Sequence, residues 1–298
     1  MTIRVASAPV SWGIFEFEGI EPKYPYARVL DEIAGTGYTG IELGPYGYLP
    51  TDPAKLREEL GKRGLQLLSA FVPVKLVDAS AHEAGAGEAL KVGKLLAALG
   101  AQYIVLADAN GSVPELVKQA GQRKGSKLSA DEWQVFAKGV DYVAERVFGE
   151  VGLKVTFHHH CAGYVETPEE SRNLLERTNP DLVGLCLDTG HWHYAGGDAV
   201  QCIKDFGKRV NYLHFKDCSK EIAAKCRAEK KDYFEAVQAG VFCELGKGEV
   251  DFPGVVREVE KLGYDGWAIV EQDVMVADLD APKRISQANR DYLKSIGL

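Results

Sequence analysis

The sequence holds no run approaching the roughly 18 consecutive apolar residues of a membrane-spanning helix, so no membrane partner is expected. It also lacks an excess of basic charge: 35 Lys and Arg against 43 Asp and Glu leave a formal net charge of −8. That balance disfavours tracking of nucleic-acid phosphates, and no nucleic-acid partner is expected. Missing too is any Cys-x-x-Cys pair among the six cysteines, Cys161, Cys186, Cys202, Cys218, Cys226 and Cys243. A zinc knuckle or disulfide scaffold is therefore not indicated, and reduced thiols are expected. Met1-Thr2-Ile3-Arg4 has no basic stretch leading into an apolar one, which points to a cytoplasmic protein. With 46% apolar and 26% charged residues, the chain has the make-up of an ordinary globular protein.

What is present is an alternation. Short runs rich in Val, Ile and Leu, at Ile3–Ser7, Gly40–Leu43, Leu65–Phe71, Tyr103–Ala107, Lys154–His158, Val183–Leu187, Val210–Phe215 and Trp267–Glu271, are separated by stretches of helical period. Helix starts are marked by a capping residue before a first-turn proline at Asp52-Pro53 and Thr167-Pro168, and by a capping box of Ser129 with Glu132. Phe136, Val140, Val143 and Val147 then form an apolar stripe that would lie on a sheet. Eight strand–helix units without a Pro- or Ser-rich linker predict an α/β protein, one (β/α)8 TIM barrel spanning residues 1–298. Segments 109–128 and 218–240 exceed what a strand–helix connection needs and are expected to be insertions over the barrel mouth.

In such a barrel the chemistry lies where strands end. The polar residues there are Glu42, Asp108, His158-His159-His160, Asp188 with His191, His214 with Lys216 and Asp217, and Glu271 with Asp273. Six of the seven histidines fall between positions 158 and 214. Imidazole and carboxylate together suit Mn, Co, Zn or Fe(II), and the absence of thiolate pairs argues for an open catalytic ion. Asp188, His214 and Glu271 each end a strand and can converge on one metal, with His158 as a fourth ligand. Alternation along a strand turns His158 and His160 one way and His159 the other. Asp108 and Asp273 are expected to be helix caps or surface groups, His82 and His193 packing or surface residues, and Cys161 and Cys218 not ligands. Trp12 and Trp192 are read either as packing or as a platform for a sugar-like ring. Lys216 is read either as an acid–base group or as an ion-pair partner of Asp217 or a helix cap.

The segments Leu187-Asp188-Thr189-Gly190-His191, Leu213-His214-Phe215-Lys216-Asp217 and Ile269-Val270-Glu271-Gln272-Asp273 resemble strand-end signatures of the xylose-isomerase-like barrel superfamily of sugar isomerases, epimerases and dehydratases. Ala8-Pro9-Val10-Ser11-Trp12-Gly13, the triple histidine and Gly246-Lys247-Gly248-Glu249-Val250-Asp251-Phe252 are most similar to its inosose dehydratases, lyases of inositol catabolism. The resemblance covers nearly the whole chain, least so in 218–240. It implies one divalent ion, Mn or Co before Zn, Fe or Mg, on Asp188, His214 and Glu271. The fourth position holds His158 where epimerases of the superfamily carry glutamate, which favours one-way proton abstraction and elimination of water from a keto-inositol. Glu271, His158, His160 and Lys216 are the acid–base candidates, and Trp12, Glu42 and His191 would hold ring and hydroxyls of the keto-polyol substrate. The alternatives are a metal-dependent ketose or keto-polyol epimerase or isomerase and, against the net charge, an abasic-site endonuclease. A homo-oligomer is compatible with the sequence.

Overall fold

The computed structural model describes residues 3–15, 24–273 and 278–298; Met1-Thr2 lies outside them. Nine strands form one parallel sheet: β1 (Arg4–Ser7), β2 (Gly40–Ile41), β3 (Gln66–Leu67), β4 (Phe71–Val74), β5 (Tyr103–Asp108), β6 (Lys154–His158), β7 (Val183–Asp188), β8 (Val210–Phe215) and β11 (Trp267–Val270). A short antiparallel pair, β9 (Asp217–Cys218) and β10 (Phe242–Cys243), stands apart from it.

The sheet order runs β3-β2-β1-β11-β8-β7-β6-β5-β4, so its two ends are successive pieces of one segment. The expected strand Leu65–Phe71 is in fact broken. Leu68 N donates to Ile41 O and Leu43 N to Ser69 O on one side, while Val105 N donates to Ala70 O on the other. The chain changes partner at residues 68–70, and that change closes the barrel. The break also turns the Ser69 hydroxyl inward, 2.7 Å from Glu42 Oε1 and 2.6 Å from the Tyr212 hydroxyl.

Helices that bury an apolar stripe against the sheet lie between most of the barrel strands, the direct passage from β3 to β4 being an exception. In Ala130–Val151 the stripe of Phe136, Val140, Val143 and Val147 is wholly buried, and the capping box of Ser129 and Glu132 starts the helix as expected. Asp52 and Thr167 likewise cap their helices. Alternation sorts the strands' side chains into two cores. Phe157, Leu187, Leu213, Phe215 and Val270 face the helices. Ala6, Val105, Cys186, Tyr212 and Ile269 fill the barrel interior. Among the described residues no helix is long and apolar enough to cross a membrane.

Candidate active site and metal centre

Above the inner layer of Cys186, Tyr212 and Ile269, the next inward positions of the same strands are Asp188, His214 and Glu271. The parallel register sets Asp188 beside His214, and Glu271 stands two residues beyond Ile269, the partner of His214 on the next strand. One ligand atom from each of His158, Asp188, His214 and Glu271 lies within 4.8 Å of the others, and all four residues are buried. Outside that set, Glu42 Oε1 is 3.1 Å from His214 Nε2. Cys186 lies just beneath, within the same reach of His158 and His214.

Lys216 stands at the centre of the charge. Its Nζ lies 3.2 Å from Asp188 Oδ2, 3.2 Å from Glu271 Oε2 and 3.0 Å from Asp273 Oδ1. The expected pairing with Asp217 does not form. Asp217 instead accepts the backbone amides of Cys218, Gly246, Gly248 and Val250, which fastens the Gly-Lys-Gly loop beside β9. A Cβ on Gly248 would lie 2.2 Å from Asp217 Oδ1, so glycine is required there. Gly190 serves Lys216 in the same way: a Cβ would fall 2.6 Å from Lys216 Cγ.

Burial sets the titration pattern. Desolvation works against the charge on Lys216, yet Asp188, Asp273 and Glu271 outweigh it and hold its pKa well above the usual range. Desolvation opposes ionisation of Glu271 too, and His214 and Lys216 overcome it, bringing the carboxyl down to about 2. Asp273 is raised, chiefly by burial. His160 is lowered to about 3 by burial together with His158 and Lys216. Its Nδ1 faces the Cys161 carbonyl, which can only accept, so Nε2 is the nitrogen with a free lone pair.

The donor set fits a divalent ion on two observations. His158 Nδ1 is buried without a hydrogen bond, and the buried Asp188 Oδ2 and His214 Nδ1 meet the ion-pair partners Lys216 and Glu271, at 3.2 and 3.3 Å, with no neutral donor or acceptor to complete them. Glu42, Asp188, Glu271 and Asp273 are buried against the single ammonium of Lys216, an excess of negative charge that a divalent cation would offset.

The cavity over these groups measures about 490 Å³ and is lined by Glu42, His158, His160, Lys216, Glu271 and Asp273, among others. Two expected substrate contacts lie elsewhere. Trp12 is fully buried, with Nε1 2.7 Å from Glu32 Oε2, because the residues after β1 turn it outward into the helix layer. His191 is also fully buried; its Nε2 is 3.3 Å from Lys216 Nζ, so it braces that lysine from behind rather than lining the cavity. Trp192 donates to Asp198 O and packs on His159, whose Nε2 accepts from the Asp188 amide.

Two residues expected on the surface or at caps are in the interior. Asp273 lines the cavity, and the alternation that pairs His158 with His160 would have paired it with Glu271. Asp108 is buried and accepts from Tyr164 N. Sequence reasoning missed Tyr233, which with Phe234 lines the cavity from the second long connection. An adjacent aromatic pair in the otherwise charged stretch Lys230-Lys231-Asp232 was the available signal.

Residues 30–296 match the family model described as the xylose isomerase-like TIM barrel. The chain is 33% identical over 293 residues to an inosose dehydratase of Geobacillus kaustophilus, covering 97% of this chain and 93% of that protein. It is 31% identical over 273 residues to an inosose dehydratase of Lacticaseibacillus casei, covering 92% of this chain and 90% of that protein. Among solved structures, the protein IolI with a bound zinc atom superposes with a TM-score of 0.69 at 17% identity, over 99% of this chain and 98% of that one, a likeness of fold. The chain belongs to the xylose isomerase-like TIM-barrel family and, within it, to the inosose dehydratases, a group of hydro-lyases.

Proposed function

We propose that this enzyme removes water from a keto-inositol, 2-keto-myo-inositol going to a cyclohexane-dione, with one divalent ion, Mn or Co, held by His158, Asp188, His214 and Glu271. The observation that carries the reading is the convergence of four buried N and O ligand atoms within 4.8 Å beside a lysine held by three carboxylates. When bound, the ion supplies polarisation of the substrate carbonyl and stabilises negative charge on its oxygen.

The chain's own groups carry the protons. Glu271 has one oxygen 3.3 Å from His214 Nδ1 and the other 3.2 Å from Lys216, and with its pKa at about 2 it is a ligand and a poor base. Asp273, raised by burial and lining the cavity, is the better acceptor for the proton α to the carbonyl. As that C–H bond breaks, its electrons form the new double bond and the β-carbon–oxygen bond breaks. The departing hydroxyl takes a proton from Lys216 and leaves as water. Asp273, 3.0 Å away, then returns its proton to Lys216, so the enzyme ends as it began. Neutral His160 and the Glu42 carboxylate accept hydrogen bonds from ring hydroxyls. His158, in place of a second glutamate, leaves the site without a symmetric pair of carboxylate bases, which supports elimination over epimerisation.

The test is product analysis on metal-loaded protein given 2-keto-myo-inositol. The expected product is an enolisable dione with new ultraviolet absorbance, formed irreversibly with no stereoisomer of the substrate and stopped by a chelator. Equilibration of two keto-polyol epimers without dione would replace the reading with an epimerase.

A further inference from the structure

The long connection from Ser219 to Gly240 carries two helices, Lys220–Glu229 and Tyr233–Gln238, and the second is started by a reciprocal capping box of Asp232 and Glu235. The other long connection carries the helix Pro114–Gln119. The two are braced together. Arg227 donates to Gly121 O at 2.9 Å and to Tyr194 O at 3.0 Å, and Val117, Ala120 and Ala236 share one apolar cluster. The brace holds Tyr233 over the site: its ring centroid is 5.4 Å from that of His160 and 6.1 Å from that of His191.

Its hydroxyl is the informative atom. It lies 3.5 Å from His160 Nε2 and 3.5 Å from Asp273 Oδ2, both at the outer limit of hydrogen bonding, where such bonds are weak. A phenol has one donor and two acceptor positions, and a fully engaged one would sit nearer 2.8 Å from its partners. Here it is stretched between the free imidazole nitrogen and a carboxylate, at the edge of a 490 Å³ cavity. A hydroxyl of a bound polyol entering that gap would accept from the phenol and donate to His160 Nε2 or Asp273 Oδ2, in bonds shorter than those the phenol makes now.

We propose that Tyr233 is a substrate-contacting, specificity-determining residue, which with His160 and Asp273 reads one ring hydroxyl of a cyclic keto-polyol from the braced cover over the mouth. The inference rests on the dehydratase reading for its substrate class. It assigns a selective role to a connection that the strand ends do not supply.

The test uses full-length, metal-loaded enzyme and compares Tyr233→Phe with wild type. Loss of the hydroxyl leaves a substrate hydroxyl short of a partner, so kcat/KM for 2-keto-myo-inositol should fall about 10- to 100-fold, most of it in KM. Metal content and thermal midpoint should be unchanged. A set of mono-deoxy keto-inositols supplies a readout that a structural role would not move: for one of them, and one only, Tyr233→Phe should match wild type. Values of kcat/KM within twofold of wild type overturn the proposal, as does a loss that is equal for every deoxy analogue. Should wild type give no dione, the dehydratase reading fails by itself. The same pair is then compared on the keto-polyol that wild type does epimerise, where an unimpaired Tyr233→Phe overturns the proposal independently.

Discussion

At Lys216 a single ammonium faces three carboxylates at 3.0 to 3.2 Å inside the barrel mouth. Replacing it with methionine keeps most of the stem's volume and removes the ammonium that all three carboxylates contact, which leaves uncompensated charge worth about 3–5 kcal/mol. Lys216→Met should therefore lower the thermal midpoint of metal-free protein sharply, and added Mn should restore much of the loss. Turnover should stay at least about 100-fold down even when metal is restored, because the hydroxyl has lost its proton donor. A variant as stable as wild type without metal, read by calorimetry, would remove Lys216 from the charge balance. The neighbouring Asp273 shows what residue-level reading needs: its position is settled by parity with Glu271, whereas a strand-end carboxylate taken alone looks like a cap.

Among the elements, the end of β5 and the loop after β6 each bury a carboxyl near Arg123. Asp108 at the end of β5 has its pKa raised to about 7 by burial, against the opposing pull of the Tyr164 amide and Arg123. Glu166 is raised to about 7 by burial, with Arg123 and the amides of Ala162 and Gly121 opposing. The folded protein thus keeps protons that the unfolded chain releases in the ordinary carboxylate range of about 4. The stability these protons lend is fully present below that range and is lost as pH rises through about 7. Their contribution falls between about pH 4 and 7 and is level above that, so the thermal midpoint of wild type relative to Asp108→Asn is expected to drop across this window, the buried histidines with lowered pKa being common to both proteins. Asp108→Asn should flatten that slope. An unchanged slope in this variant, followed by calorimetry across the window, would show that Asp108 does not carry it. The same elements fix the site's geometry. Asp188 caps Thr189–Tyr194 by accepting from His191 N through Oδ1 at 2.8 Å, which leaves Oδ2 facing Lys216 at 3.2 Å.

For the molecule as a whole, the barrel is held by apolar cores above and below the strands, and the metal groups sit on top of them. Chelation should leave the fold intact and remove only the binding free energy, about 2.7 kcal/mol of stability at a metal concentration 100 times Kd, with a correspondingly lower thermal midpoint. Metal affinity should weaken as pH falls. Burial opposes a proton on His214, but Cys186, Glu271 and Glu42 outweigh it and hold the pKa well above the ordinary value, so that proton has to leave before the ion binds. Titration of metal into chelated protein at several pH values checks this, and tighter binding on acidification would contradict it.

Period and punctuation along the chain determined the barrel. Val- and Leu-rich runs bounded by caps at Asp52, Ser129 and Thr167 can bury their apolar faces only as strand and helix, and those interactions are local. Parity along single strands also determined that His158 and His160 share a side, and placing polar residues at the strand ends brought Asp188, His214 and Glu271 together. Tertiary structure decided the rest. Trp12 and His191 belong to the layers behind the cavity because their orientation depends on what packs against them, Glu32 for one and Lys216 for the other. The break at residues 68–70 follows from closure of the barrel, a constraint that no single strand carries. Tyr233 reaches the site from a connection whose path is set by Arg227 bonding to Gly121 O, more than a hundred residues away in the chain. Contacts at that separation leave no period in the sequence, so only the folded chain could place that phenol beside His160 and Asp273.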